Sequence, residues 1–130
     1  MLFDTHAHYD DDQFDGDRET LLASLPEQGV GLVVNPGCTV ASSRTAVELA
    51  RRFPHVYAAV GIHPENCGDF RPEDLDAIRA LAREDKVVAI GEIGLDYYWP
   101  ENPPRPLQQQ VLRSQLALAQ ELQLPVIIHD

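Results

Sequence analysis

Positive charge is scarce in this 130-residue chain. Ten lysines and arginines stand against 21 acidic residues, for a formal net charge of −11. That balance excludes a surface that grips nucleic acid by long-range attraction alone. It does not exclude a nucleic-acid enzyme whose site carries bound cations, because such ions are the largest local charges. Cysteine is scarce too. Cys38 and Cys67 are isolated and fit no CxxC pattern, so they read as reduced and structural. The longest apolar runs, such as "VGLVV" and "VVAI", are far too short to cross a bilayer, so no membrane association is expected. No basic segment followed by an apolar one opens the chain, and a cytoplasmic location is the expectation. Also missing is any GxGxxG or phosphate loop after the first strand, which weakens a nucleotide-binding reading.

What is present is the balance of a globular domain, 44% hydrophobic and 24% charged, with length enough for one sizeable core. Part of the negative excess lies in "YDDDQFDGDRE". It reads as a solvated loop leading into a helix whose N-terminus favours acidic side chains. Along the chain, apolar β-rich runs alternate with helical periodicity. Strands are predicted at Leu2–Phe3, Val30–Val34, Val56–Val60, Val87–Gly91 and in "PVIIHD", each closed by a turn or a polar residue. Helices are predicted from Asp17 to about Gln28 and over "ASSRTAVELARRF", with Ser42 or Ser43 as cap. A third opens near Pro72 and turns Leu75, Ile78 and Ala82 inward. A fourth runs over Gln108–Gln123 with Leu112, Leu116 and Ala119 on one face. The proline-rich stretch "LDYYWPENPPRPL" has the character of a functional loop.

Alternating strands and helices with continuous apolar strands argue for parallel β/α units. Polar groups at the strand exits decide between an open doubly wound sheet and a barrel. His6 and His8 follow the first strand, His63 the third, Glu92 the fourth and His129 the fifth. In a TIM barrel the C-terminal strand ends ring one pocket, so residues remote in sequence meet there. The expected fold class is therefore α/β, about five-eighths of a TIM (β/α)8 barrel. Residues 1–130 form a single partial domain whose open edge is covered either by a missing C-terminal half or by another chain.

These strand-end residues also carry the chemistry. In a β-strand, residues two apart share a face, so His6 and His8 could aim at one point. Two imidazoles with the Glu92 carboxylate suit zinc, and carboxylate oxygens also suit magnesium or manganese. Asp4 could orient one imidazole or cap a turn. Glu92, straight after "VVAIG", would be costly to bury alone. A carboxylate there can bridge two ions and support metal-assisted hydrolysis. His129 completes the candidate metal ligands His6, His8, Glu92 and His129. His63, in "GIHP", could bind a substrate phosphate, assist proton transfer, or only stabilise the turn before Pro64. His55 falls at the opposite rim and reads as surface. Tyr97, Tyr98 and Trp99 could stack on a substrate base or simply pack the loop.

The stretches "FDTHAHYD", "NPG", "AVGIHP", "VVAIGEIGLDYY" and "QQQVLRSQLALAQELQLPVIIHD" resemble the N-terminal half of the TatD-type metal-dependent deoxyribonucleases, in the amidohydrolase-like group of TIM-barrel hydrolases. The resemblance implies a two-metal site using Mg2+, Mn2+ or Zn2+. His6 and His8 would bind one ion, Glu92 would bridge, and His129 would bind the second. It implies hydrolysis of DNA phosphodiester bonds, as a 3′→5′ exonuclease, with Glu92 and His63 as candidate catalytic residues. It also places a further histidine ligand and a late aspartate ligand beyond Asp130, so these residues alone are expected to be weak or inactive. Two alternatives remain at this point. One is another metallohydrolase of the group, acting on a lactone, amide or phosphotriester. A carboxylated lysine after the fourth strand would favour it, but Glu92 stands there and the only lysine, Lys86, precedes that strand. The other is an inactive binding or assembly fragment.

Overall fold

A computed structural model describes residues 1–130. Its elements are β1 (Leu2–Asp4), α1 (Arg18–Ser24), β2 (Val30–Pro36), α2 (Val40–Arg52), β3 (Val56–Val60), α3 (Pro72–Ala82), β4 (Val87–Gly94), α4 (Arg105–Leu122) and β5 (Val126–His129). All five strands are parallel and lie in sequence order, β1-β2-β3-β4-β5. A doubly wound sheet reverses its strand order part-way; this one never does. Each unit adds to the same growing edge, as in a barrel, and the result is a half-barrel with helices outside.

Local chemistry explains most element ends. Thr39, rather than Ser42 or Ser43, caps α2: its hydroxyl accepts from the Ser42 N–H at 3.0 Å while the Ser42 hydroxyl accepts from the Thr39 N–H at 2.9 Å. This reciprocal capping box starts the helix one residue before the predicted span. The helix predicted to reach Gln28 stops at Ser24, because Pro26 opens a separate short 3-10 turn over Pro26–Gln28. The fourth helix starts three residues early, at Arg105. A proline in its first turn is harmless there, since those N–H groups have no intrahelical partner.

The helices and the outer face of the sheet enclose a core of 20 buried residues, among them Leu22, Val33, Ala46, Val47, Val56, Val60, Ile78, Ile90, Val111 and Leu118. The inner face is thinner. Val34, Ala59 and Ala89 are buried there, with Leu32, Tyr57, Val88 and Ile127 packed beside them. In a closed barrel this face is filled by side chains from eight strands. With five, the flanks show: Leu2 and Phe3 on β1 are about two-thirds exposed and Ile128 on β5 half exposed.

Two close approaches set the height of the strand exits. Gly94 has φ +153°, and a Cβ there would run into the His129 carbonyl oxygen; the ends of β4 and β5 meet at this point, paired Gly94 to His129. Gly37, just past β2, presses on Ser43 of α2 with no room for a side chain. Its carbonyl accepts the Glu92 N–H at 2.8 Å, tying the β2 exit to the β4 exit across the end of β3.

Candidate metal centre

β1 ends at Asp4, so His6 and His8 lie past the strand and its two-residue alternation does not aim them. The loop does. Asp4 accepts the His6 N–H at 3.2 Å, which makes it a turn cap and not a partner of an imidazole. The Ala7 N–H is anchored to the Val34 carbonyl at 3.2 Å. Beyond it, buried Asn35 accepts the Tyr9 and Asp10 N–H groups at 2.6 and 3.2 Å and donates to the Asp10 carboxylate at 3.1 Å. Held this way, His6 Nε2 lies 3.0 Å and His8 Nε2 3.1 Å from Glu92 Oε1.

The other oxygen of the same carboxylate faces the rest of the set. His129 Nδ1 lies 2.9 Å and His63 Nε2 3.6 Å from Glu92 Oε2. Four of the five histidines thus surround one carboxylate that is 5% exposed, at the floor of an open cavity of about 380 Å³. Burial alone would raise the Glu92 carboxyl, but His6, His63 and His129 overcome it and hold the carboxyl below its usual range. Of the roles predicted for His63, the structure shows the one at the turn. Its Nδ1 accepts the Glu65 N–H at 3.1 Å, stabilising the turn that opens with Pro64. That bond leaves the proton of the neutral ring on Nε2, the nitrogen facing Glu92, and burial lowers the pKa so that the neutral form is favoured. His129 differs. Burial would lower it, but carboxylates at both ring nitrogens raise it: Glu92 at Nδ1 and Asp96 at Nε2, the latter 2.9 Å away.

Three donor groups emerge that could hold a cation: His6, His8 and Glu92; His63, Glu92 and His129; and Glu65, Asp96 and His129. The first two share Glu92, one through each oxygen. Imidazole nitrogens set against a carboxylate suit a borderline divalent ion such as Zn2+, and tolerate Mn2+ or Mg2+ less readily as imidazole replaces oxygen. The donor chemistry fits the expected group.

Residues 3–130 match the family of TatD-related DNases. The chain belongs to that family. It is 42% identical along its whole length to YabD, a metal-dependent hydrolase of Bacillus subtilis, and covers 51% of that protein. Over 98% of the chain it is 37% identical to the 3′-5′ ssDNA/RNA exonuclease TatD of Salmonella typhimurium, covering 49% of it. The crystal structure of the TatD homologue YjjV from Escherichia coli superposes with a TM-score of 0.90 at 36% identity, over 98% of this chain and 50% of that one. The chain spans about half the length of the curated relatives it matches. No helix in it is long and apolar enough to cross a membrane.

Within this TatD-family half-barrel, several supporting residues escaped the sequence reading. Asp96 and Glu65 stand beside His129, and both follow a strand exit closely, which was the available signal. Two glutamines of α4 had none. Gln115 is fully buried and bonds the Ile62 main chain both ways: it accepts the N–H at 2.8 Å and donates to the carbonyl at 3.1 Å. Gln108, also fully buried, does the same to Asp96, at 2.8 and 2.9 Å. The buried face of α4 is therefore Gln108, Val111, Gln115, Leu118 and Ala119; of the three residues predicted to face inward, Ala119 is buried, Leu112 packs partly buried against the core, and Leu116 is 40% exposed. Counting only apolar residues misplaced Leu116 and passed over the two glutamines. Cys38 is free, as expected, and lines the cavity. Its thiol is pushed up to about 12 by burial and then by Glu92, Asp10 and Glu65, so it stays protonated. His55 is half-buried and bonded to the Leu22 carbonyl at 2.7 Å, tying the start of β3 to α1, and is not free surface. Tyr98 and Trp99 meet edge to face at 4.6 Å on the exposed β4–α4 loop, next to Asp96.

Proposed function

We propose that the protein is a two-metal phosphodiesterase that removes nucleotides from DNA in the 3′→5′ direction. One observation carries the reading: both oxygens of a single buried carboxylate, Glu92, face histidine nitrogens from opposite sides. His6, His8 and Oε1 would hold one divalent ion; Oε2 and His129 would hold the other. Two such ions would neutralise charge building on the phosphodiester oxygens and acidify a water for in-line attack.

The chain's own residues supply the rest. Glu92 fixes the spacing of the two cation sites through one rigid group. The His63 Nε2–H is positioned to donate to a phosphate oxygen entering the cavity, a donor role that its neutral form allows. Tyr98 and Trp99 offer aromatic faces beside the site on which a terminal base would stack. The negative surface makes local donors and cations the means of holding DNA, since long-range attraction is absent. The inner face and the exposed flanks support a further reading, that residues 1–130 are one partial barrel completed by further strands. The name of the Salmonella relative supports the exonuclease direction. The test is release of mononucleotides from 3′- and 5′-labelled single- and double-stranded DNA by the whole protein. Release from the 3′ end, abolished by EDTA and restored by Mn2+ or Mg2+, is expected. Metal-independent release, or none, refutes it.

A further inference from the structure

The ring of His129 stands between two carboxylates, and only one side can be a ligand side. A neutral imidazole has one lone pair on nitrogen and one N–H. Asp96 Oδ2 lies 2.9 Å from Nε2 and Glu92 Oε2 2.9 Å from Nδ1. A carboxylate bonded to the ring nitrogen that does not ligate fixes the tautomer and strengthens the nitrogen that does.

The surroundings of Asp96 decide which carboxylate plays that part. Its N–H and carbonyl are both held by Gln108, and the carbonyl also accepts from Asn102 Nδ2 at 3.2 Å. Its Oδ1 accepts the Tyr98 N–H at 3.1 Å. Its main chain and Oδ1 are engaged by its own loop and by α4, Oδ2 is aimed at Nε2, and the Glu65 side chain also hydrogen-bonds the carboxylate. Gly94, two residues earlier, permits the close approach of the two strand ends that this bond needs. Nothing comparable serves the other side of the site. His8 Nδ1 stands 4.0 Å from Asp10 Oδ1, beyond hydrogen-bond distance, and the His6 ring hydrogen-bonds Glu92 alone. Glu65, Asp96 and His129 could in principle form a third cation site, but His129 would then have to ligate through both nitrogens with no proton left on the ring.

We propose that Asp96, clamped by Gln108, is the positioning residue for His129: it accepts the Nε2–H and so presents the Nδ1 lone pair to the ion on the Oε2 side of Glu92. The same carboxylate joins that ligand to the Tyr98–Trp99 loop, so the ion on this side and the aromatic surface are set by one group. The inference rests on the two-ion reading.

The test pairs zinc titration with 15N-histidine NMR on the wild type and Asp96→Asn. In the wild type, the neutral His129 ring of metal-free protein is expected as the Nε2–H tautomer, and zinc is expected on Nδ1. Asp96→Asn keeps the size and an acceptor for the Tyr98 N–H. It is expected to weaken one zinc equivalent about 10- to 100-fold and to leave the equivalent held by His6 and His8 unchanged. An Nδ1–H tautomer in the wild type, zinc on Nε2, or equal weakening or no weakening of both equivalents would overturn the assignment. The wild-type spectrum decides the point even where the variant folds poorly. A protein that binds no zinc refutes the two-ion reading instead, and the His129 tautomer still reports separately whether Asp96 orients the ring.

Discussion

On the Oε1 side of Glu92 stand His6 and His8, two residues of one loop past a three-residue edge strand, 41% and 36% exposed at the side chain. On the Oε2 side stand His63, in the turn after β3, and His129, at the end of β5, which are 10% and 25% exposed. The first side is assembled locally, with Asn35 as its main support. The second is assembled from remote parts of the chain and locked by α4, whose Gln115 and Gln108 grip the main chain beside His63 and at Asp96. One carboxylate therefore joins a locally assembled, more open pair of histidines to a pair drawn from remote parts of the chain and more buried. The lesson is that the two halves answer to different parts of the fold, so substitutions should separate them.

The largest effect breaks the comparison at its hinge. Glu92→Gln removes the charge both halves share, and it is expected to lose both ions and to lower DNA hydrolysis about 10³-fold or more. Elemental analysis after dialysis checks the first part and single-turnover kinetics the second. If either ion stays at full occupancy, the halves do not depend on a shared carboxylate. Next come His6→Ala and His129→Ala, each expected to remove one ion while sparing the other, with activity down about 10²-fold. Metal content falling to zero in either variant would mean that the two halves bind as one.

Gln115→Ala sharpens the difference in construction. It strands the buried Ile62 N–H and carbonyl, at a cost of about 2 kcal/mol in urea unfolding, and should loosen the His63 turn. Ion binding by His6 and His8 is expected to survive at wild-type affinity. Loss of that ion first would show that the local half also leans on α4. The smallest effect is Trp99→Ala, expected to raise KM about tenfold, in line with the roughly 1–3 kcal/mol of one stacked base, with metal content unchanged. An unchanged KM would leave the aromatic loop as packing alone.

The fold and the four central side chains were legible because barrels place function at strand exits, and His6, His8, Glu92 and His129 sit at exits that short apolar runs announce. The route by which His6 and His8 converge was not. Strand alternation predicted the right meeting for a strand that stops at Asp4; a main-chain anchor at Ala7 does the aiming. Asp96 was visible as a letter in "GEIGLD" but not as a partner, because its importance comes from His129, 33 residues away. Gln108 and Gln115 were hidden by their polarity. Pattern reading sends glutamine to the surface, whereas here each amide is satisfied by both main-chain groups of one residue, which removes the penalty of burial. The caps and breaks of α1, α2 and α4 turned on Pro26, Thr39 and Pro106, single residues whose geometry outweighs average propensity.

The central claim, that one buried carboxylate joins two cation sites, is tested most directly by electron paramagnetic resonance of the Mn2+-loaded protein. Two ions joined by Glu92 are expected to give the many-line spectrum of a spin-coupled pair, replaced by uncoupled or no bound Mn2+ in Glu92→Gln. A simple six-line spectrum from isolated Mn2+ in the fully loaded wild type would contradict it.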